Sequence, residues 1–178
     1  MIPLSLTQIA SIVNATHLER VDPATMVVGV ATDSRLVQPG DLFVALVGER
    51  TDGHDHIESA LAAGAVAVLG TRRISGVDLL VTDSVVALGS LASGVLEKCR
   101  DSGVIEVIAI TGSSGKTSTK DLLAQVLSEL GETVAPKESF NTEIGLPMTV
   151  LTATETTRCL VLEMGARLDT INYSINHI

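Results

Sequence analysis

The stretch Ile110-Thr111-Gly112-Ser113-Ser114-Gly115-Lys116-Thr117-Ser118 decides the fold of the second half of the chain. The apolar run 104–110 predicts a strand before it. The segment 117–130 predicts an amphipathic helix after it, with a buried face made of Leu122, Leu123, Val126, Leu127 and Leu130. Glycines let backbone N–H groups turn toward phosphate oxygens, and the N-terminus of the following helix adds the positive end of its dipole. A strand, a glycine-rich loop and a helix in this order predict nucleotide binding.

Each residue type in the loop fits phosphate binding. Lys116 is expected to reach the β and γ phosphates, and the Thr117 hydroxyl is expected to coordinate Mg²⁺. The loop is a shortened form of the pattern G-x-x-x-x-G-K-[ST], because Ile110 stands where the longer pattern has glycine. The candidate nucleotide-binding residues are Gly112, Ser113, Ser114, Gly115, Lys116, Thr117 and Ser118.

A carboxylate is predicted to lie beside this loop. Glu163 ends the apolar run Cys159-Leu160-Val161-Leu162, which predicts a buried strand. Ligands of open parallel sheets bind at the carboxyl ends of the strands, where both the loop and Glu163 would lie. We therefore expect Glu163 to hold Mg²⁺, directly or through water. The simpler interpretation is a solvent-exposed carboxylate at the end of a strand.

The composition narrows the class of protein. The 178 residues carry 12 Lys and Arg against 21 Asp and Glu, a net charge of −9, which disfavours binding to nucleic acid. The sequence contains no apolar stretch long enough to span a membrane, and its first residues lack the basic region of a signal peptide. We expect a cytoplasmic protein without membrane insertion, in which Cys99 and Cys159 are reduced.

The first hundred residues predict short helices alternating with short strands. Asp55 is expected to cap a helix over 57–63, and Ser84 a helix over 85–99. The polar sequence Arg100-Asp101-Ser102-Gly103 is expected to be a hinge between domains 1–102 and 103–178. The predicted fold class is α/β, with a small first domain followed by the first half of a P-loop domain whose sheet is doubly wound and mostly parallel.

Several motifs resemble those of the Mur ligases. The phosphate loop 111–118, the segment Ser139-Phe140-Asn141-Thr142-Glu143-Ile144-Gly145-Leu146-Pro147 and the segment 162–166 resemble the ATP-binding domain of that family. In the first domain, the segments 32–35, 39–46 and 48–55 resemble its UDP-binding domain. The resemblance covers residues 1 to about 167 and predicts that the small domain binds UDP and the second domain ATP.

The resemblance implies an ATP- and Mg²⁺-dependent amide ligase of cytoplasmic peptidoglycan precursor synthesis. Its substrates would be UDP-N-acetylmuramoyl-tripeptide and D-alanyl-D-alanine, joined through an acyl phosphate, and the full-length protein would be a monomer. Asn141 would lie near the phosphates and substrate and join Lys116 and Glu163 as a catalytic residue, although it could equally cap the next helix. The candidate UDP-substrate contacts are Asp33, Ser34, Arg35 and His54, with His56 as a second histidine candidate, although either histidine could equally serve in local hydrogen bonding.

Other functions stay open at this stage. They include the Mur ligase that adds the third amino acid, a noncatalytic nucleotide-binding fragment, and a P-loop kinase or GTPase. The GTP-specifying string N-K-x-D is missing from the sequence, which disfavours a GTPase. Because the second domain holds about half of a doubly wound sheet, we expect a truncated form that does not turn over by itself.

Overall fold

The computed structural model describes residues 1–17, 20–49, 51–103, 105–136 and 142–164. The chain forms two compact units, the first running from residue 3 to residue 91 and the second beginning at residue 92. Each unit contains a sheet with parallel strands and flanking helices, which confirms the predicted α/β class. In the described part of the chain, no helix is both long and apolar enough to cross a membrane.

The first unit is built from short elements. In chain order they are β1 (Leu4–Ser5), α1 (Leu6–Ile12), β2 (Thr16–His17), β3 (Met26–Val27), β4 (Gly29–Ala31), β5 (Asp41–Val44), a 3-10 turn (Gly53–His56), α2 (Ile57–Ala63), β6 (Ala67–Gly70), β7 (Leu79–Leu80) and the start of α3 (Ser84–Ser102). Strands β4, β5, β6 and β7 are parallel neighbours, β2 adds an antiparallel edge, and β1 pairs separately with β3. The parallel strands therefore end at one common edge.

The core of the first unit is aliphatic around one aromatic ring. Every residue of β5 and β6 is buried, as expected for strands covered on both faces. The Phe43 side chain is 1% exposed and packs with Val68, Ala45 and Ile57. Its burial fixes the end of β5, which borders the cavity described below.

The predicted cap of α3 is wrong. The Ser84 hydroxyl donates to the carbonyl oxygen of Ala45 at 3.0 Å instead of bonding its own helix. The carboxylate of Asp83 accepts from the backbone N–H groups of Val85 and Val86, at 2.8 and 3.0 Å. Asp83 therefore satisfies the unpaired donors at the helix start, while Ser84 ties the helix to the end of β5.

The second unit contains the strand-loop-helix arrangement. Its elements after α3 are β8 (Glu106–Ile110), α4 (Lys116–Ser128), β9 (Thr133–Val134), α5 (Gly145–Val150) and β10 (Cys159–Glu163). All three strands are parallel and β10 lies in the middle, with Glu163 paired in register with Ile110. Helix α3 continues through Ser102, so most of the predicted hinge is helical.

Helix α4 turns a different face to the sheet from the one predicted. Three residues of the predicted buried face are largely exposed: Leu122 at 66%, Val126 at 64% and Leu130 at 61%. Leu123 and Leu127 are half-buried, and Lys120 is fully buried at 0% exposure. The inward face therefore follows the spacing 116, 120, 123 and 127.

Three threonine hydroxyls hold the start of β10. Thr154, Thr156 and Thr157 donate to the carboxylate of Glu132 at 2.9, 2.6 and 2.6 Å. These bonds lower the pKa of Glu132, with the bond from Thr156 contributing most. The carbonyl oxygen of Glu132 also accepts from the backbone of Cys159, the first residue of β10. The turn before β10 and the segment before β9 are thereby fixed to each other.

Candidate functional site

The phosphate loop joins the end of β8 to the start of α4. Ile110, which stands where the longer pattern has glycine, is still paired within the sheet. Gly115 precedes the helix with a φ of 76°, a left-handed conformation that favours glycine. The Lys116 ammonium reaches back along the loop and donates to the carbonyl oxygen of Gly112 at 2.7 Å. The loop thus carries its own cation at the N-terminus of a helix of 13 residues.

Thr117 and Glu163 are in direct contact at this edge of the sheet. The Thr117 hydroxyl donates to Oε2 of Glu163 at 3.0 Å. Glu163 is 2% exposed, so the carboxylate is not the solvated strand end of the simpler interpretation. The two residues belong to the first turn of α4 and the last position of β10, and the parallel register places Glu163 beside Ile110.

This pair of oxygen atoms fits a magnesium ion. Octahedral Mg²⁺ holds its ligands at about 2.0–2.1 Å, so two adjacent ligands lie roughly 3 Å apart. The Thr117 and Glu163 oxygens have that separation. Among the described residues, no three or more His, Cys, Asp or Glu side chains cluster as metal ligands. A small set of protein ligands completed by phosphate oxygens and water is the usual arrangement for Mg²⁺.

Asn141 lies outside the described residues. The next residue, Thr142, accepts through its side-chain oxygen from the N–H of Gly145 at 3.0 Å. Its carbonyl oxygen accepts from the N–H of Leu146. Thr142 therefore satisfies donors at the start of α5. The sequence had indicated Asn141 as a candidate for this capping role.

The first unit contains a cavity of about 720 Å³. It lies at the carboxyl ends of β4 and β5, the usual place for ligands in an open α/β sheet. Its lining residues are Thr32, Asp33, Ser34, Arg35, Phe43, Leu46, Gly48, Thr51, Gly53, His56 and Ser59. The structure therefore brings three of the four predicted substrate contacts, Asp33, Ser34 and Arg35, to one cavity.

Asp33 and Arg35 form an ion pair at the cavity wall. Nε and Nη2 of Arg35 donate to the two carboxylate oxygens of Asp33, with Nη2 at 2.6 Å from Oδ2. The hydrogen bond from the Arg35 side chain contributes most to lowering the pKa of Asp33 to about 2, and the bond from the Arg35 backbone N–H contributes next. Asp33 raises the pKa of Arg35 in turn. The Arg35 side chain is 86% exposed, so a ligand in the cavity can reach it.

His54 has a different environment from the other three predicted contacts. It is 5% exposed, and its Nε2 accepts from the backbone N–H of Thr71 at 3.1 Å. An imidazole that accepts at Nε2 carries its proton on Nδ1, which lies 2.6 Å from Asp52. Both ring nitrogens are thus engaged within the fold, and His54 is not among the residues that line the cavity.

The turn beside the cavity differs in two ways from the prediction. The predicted cap of α2 by Asp55 is wrong, because the residue at the helix start is His56 and makes no side-chain cap bond. Asp52 instead caps the preceding 3-10 turn by accepting from the N–H of His54 at 2.9 Å. That backbone bond is the largest cause of the lowered pKa of Asp52. His56 is the histidine that lines the cavity, together with Thr51 and Ser59, which the sequence did not single out.

The fold and the loop define a P-loop nucleotide-binding protein with a separate cavity in its first unit. Residues 110–175 match the model of the Mur ligase middle domain. Residues 26–91 match the model of the Mur ligase family, catalytic domain. The chain belongs to the Mur ligase family.

Relatives within that family share a more specific name. The UDP-N-acetylmuramoyl-tripeptide--D-alanyl-D-alanine ligase of Mycobacterium tuberculosis is 48% identical over 193 residues, covering 94% of this chain and 38% of that protein. The solved structure of the UDP-N-acetylmuramoylalanyl-D-glutamyl-2,6-diaminopimelate--D-alanyl-D-alanyl ligase of Acinetobacter baumannii matches with a TM-score of 0.86 at 32% identity. It covers 97% of this chain and 39% of that one. The MurF ligase of Thermotoga maritima in complex with ADP matches with a TM-score of 0.68 at 34% identity, covering 83% and 34%. The chain thus spans less than half of the length of these relatives.

Proposed function

We propose that this chain carries the UDP-substrate site and the ATP phosphate site of a ligase that joins D-alanyl-D-alanine to UDP-N-acetylmuramoyl-tripeptide. The observation that carries the proposal is the contact between Thr117 and buried Glu163 beside the Lys116 loop. The names of the relatives supply the substrates. The alternative is the family member that adds the third amino acid.

The proposed reaction has two steps. The terminal carboxylate of the peptide attacks the γ-phosphorus of ATP, which forms an acyl phosphate and releases ADP. The amine of D-alanyl-D-alanine then attacks the acyl carbon, forms the amide, loses a proton and expels phosphate. Lys116 and the backbone N–H groups of the loop stabilise the negative charge on the transferring phosphoryl group.

The remaining assignments complete this proposal. Thr117 and Glu163 hold Mg²⁺, which neutralises charge on the phosphates when it is bound. Asn141 contacts the phosphates and the substrate. The domains are residues 1–102 and 103–178, and the complete enzyme works in the cytoplasm as a monomer.

The cavity of the first unit is proposed to bind the UDP end of the substrate through Ser34 and Arg35. In the Arg35→Ala variant of this chain, we expect affinity for UDP-N-acetylmuramoyl-tripeptide to fall about tenfold or more, because a charge-assisted hydrogen bond is lost. The Asp33 carboxylate, no longer paired, would also repel the diphosphate. Isothermal titration measures the effect, with Arg73→Ala as the control, since Arg73 lines a separate cavity of the same unit. Equal affinity in parent and Arg35→Ala would contradict the role of Arg35.

Product analysis separates the two ligase candidates. A full-length ligase built on this sequence is incubated with ATP, Mg²⁺ and UDP-N-acetylmuramoyl-tripeptide, and mass spectrometry follows the peptide product. We expect D-alanyl-D-alanine to be added, with one ADP and one phosphate released for each amide. Addition of a single amino acid to the dipeptide substrate instead would identify the alternative, and ATP hydrolysis without an amide would refute both.

A further inference from the structure

Lys120 is a fully buried lysine that has no role in the phosphate chemistry proposed for the loop. Its side chain is 0% exposed, and its ammonium donates to the carbonyl oxygen of Pro136. It also contacts the carboxylate of Asp121 at 2.9 Å, but that side chain is 65% exposed. Burying an ammonium group is costly unless it is paired and hydrogen-bonded. The hydrogen bond to the Pro136 carbonyl therefore requires a donor at position 120, which an apolar side chain lacks.

The position of Lys120 in the fold shows which elements this bond connects. Thr117 and Lys120 are three residues apart, so they lie on the same face of α4. Thr117 contacts Glu163 at the carboxyl end of β10. Lys120 contacts Pro136, two residues beyond the carboxyl end of β9. Because β9 and β10 are parallel, their carboxyl ends lie at the same edge of the sheet. One face of α4 therefore contacts the chain at the carboxyl end of both strands.

We propose that Lys120 is a positioning residue of the ligase, which fixes the exit of β9 relative to the phosphate loop. The inference rests on the proposed function, because the chain leaving Pro136 leads to Asn141, which that function places at the phosphates. A methionine at position 120 would fill similar space, but it has no N–H to donate to the Pro136 carbonyl. The side chain acts through Pro136 and does not itself touch the nucleotide.

Hydrogen exchange tests the contact without any activity. In this chain carrying Lys120→Met, we expect the amides of β9 to exchange about tenfold faster, because the end of the strand is released. The amides of β8, on the other side of β10, should keep their rates. Lys98→Met is the matched control, since it makes the same substitution at a half-buried lysine of α3. Unchanged exchange in β9 would overturn the proposal.

Steady-state kinetics test the consequence in the full-length ligase. We expect Lys120→Met to lower kcat about tenfold or more, since small misplacements near reacting groups are costly. The KM for ATP should change less than about threefold, because Lys116 and Thr117 remain in place. Lys120→Arg, which keeps a cationic donor, should recover most of the loss, and Lys98→Met should resemble the parent.

The two measurements separate the inference from the function on which it rests. If the parent forms no amide, the proposed function fails, while hydrogen exchange still decides whether Lys120 holds β9. A parent-like kcat in folded Lys120→Met, or a KM for ATP that rises in proportion, would refute the positioning role. If Lys120→Met does not fold, Lys120→Gln, which is too short to reach the same carbonyl, is judged by the same two criteria.

Discussion

A full-length ligase built on this sequence should lose about 100-fold or more of its turnover when Lys116 is changed to alanine. Lys116 is the cation of the loop, and its ammonium lies 2.7 Å from the Gly112 carbonyl, within reach of a phosphate that enters the loop. Phosphoryl transfer depends mainly on positioning and on the stabilisation of charge. Removal of this charge therefore affects the transition state more than the fold.

Phosphate release in the presence of both substrates measures the effect of Lys116→Ala. The half-buried Lys98 of α3 lies outside the loop, so Lys98→Ala serves as a control that removes the same charge. Thermal unfolding of both variants should match that of the parent. Turnover of Lys116→Ala within about tenfold of the parent would count against a phosphate role for this loop.

The parts that were predictable from the sequence are those whose functional residues lie close together in the sequence. The phosphate loop combines a strand, glycines, a lysine and a helix within one short segment. The proximity of Glu163 to the loop followed from one general rule about parallel strand ends. Neither inference required knowledge of how a helix is rotated about its axis.

The burial of Lys120 was not predictable, because α4 has two overlapping apolar patterns. The leucines and valine at 122, 123, 126, 127 and 130 favour one face, whereas contact with the sheet selects the face that includes 116, 120 and 123. The three exposed apolar residues and the buried lysine are two results of the same rotation of the helix. Only tertiary contacts, here those of Thr117 with Glu163 and of Lys120 with Pro136, fix that rotation.

Neighbouring residues of similar chemistry were a second reason why the sequence did not predict the structure fully. Asp83 and Ser84 are both good cap residues, and the structure assigns the cap to Asp83 because the Ser84 hydroxyl bonds Ala45. His54 and His56 are likewise close in sequence, but His54 is buried within the fold and His56 lines the cavity. In both cases the choice depends on a partner far away in the sequence, which no local pattern contains.

The second large effect is expected at the proposed metal site, where Glu163→Gln should weaken the apparent affinity for Mg²⁺ about tenfold or more and slow ligation at limiting Mg²⁺. Glutamine keeps the volume of the side chain, and its carbonyl oxygen can still accept from Thr117, so the buried end of β10 should stay intact. The negative charge that attracts the cation is lost. The fold should be preserved while the metal requirement changes.

Ligation rates measured over a series of Mg²⁺ concentrations test this expectation. Glu106→Gln is the matched control, because Glu106 is exposed at the amino-terminal end of β8, opposite the ligand edge. A high Mg²⁺ concentration should restore part of the rate of Glu163→Gln, since mass action compensates for weaker binding. If the Mg²⁺ dependence is that of the parent while stability falls, Glu163 serves only as the buried partner of Thr117. The 3.0 Å separation of their oxygens would then reflect an ordinary hydrogen bond, and the magnesium ligands would have to come from elsewhere.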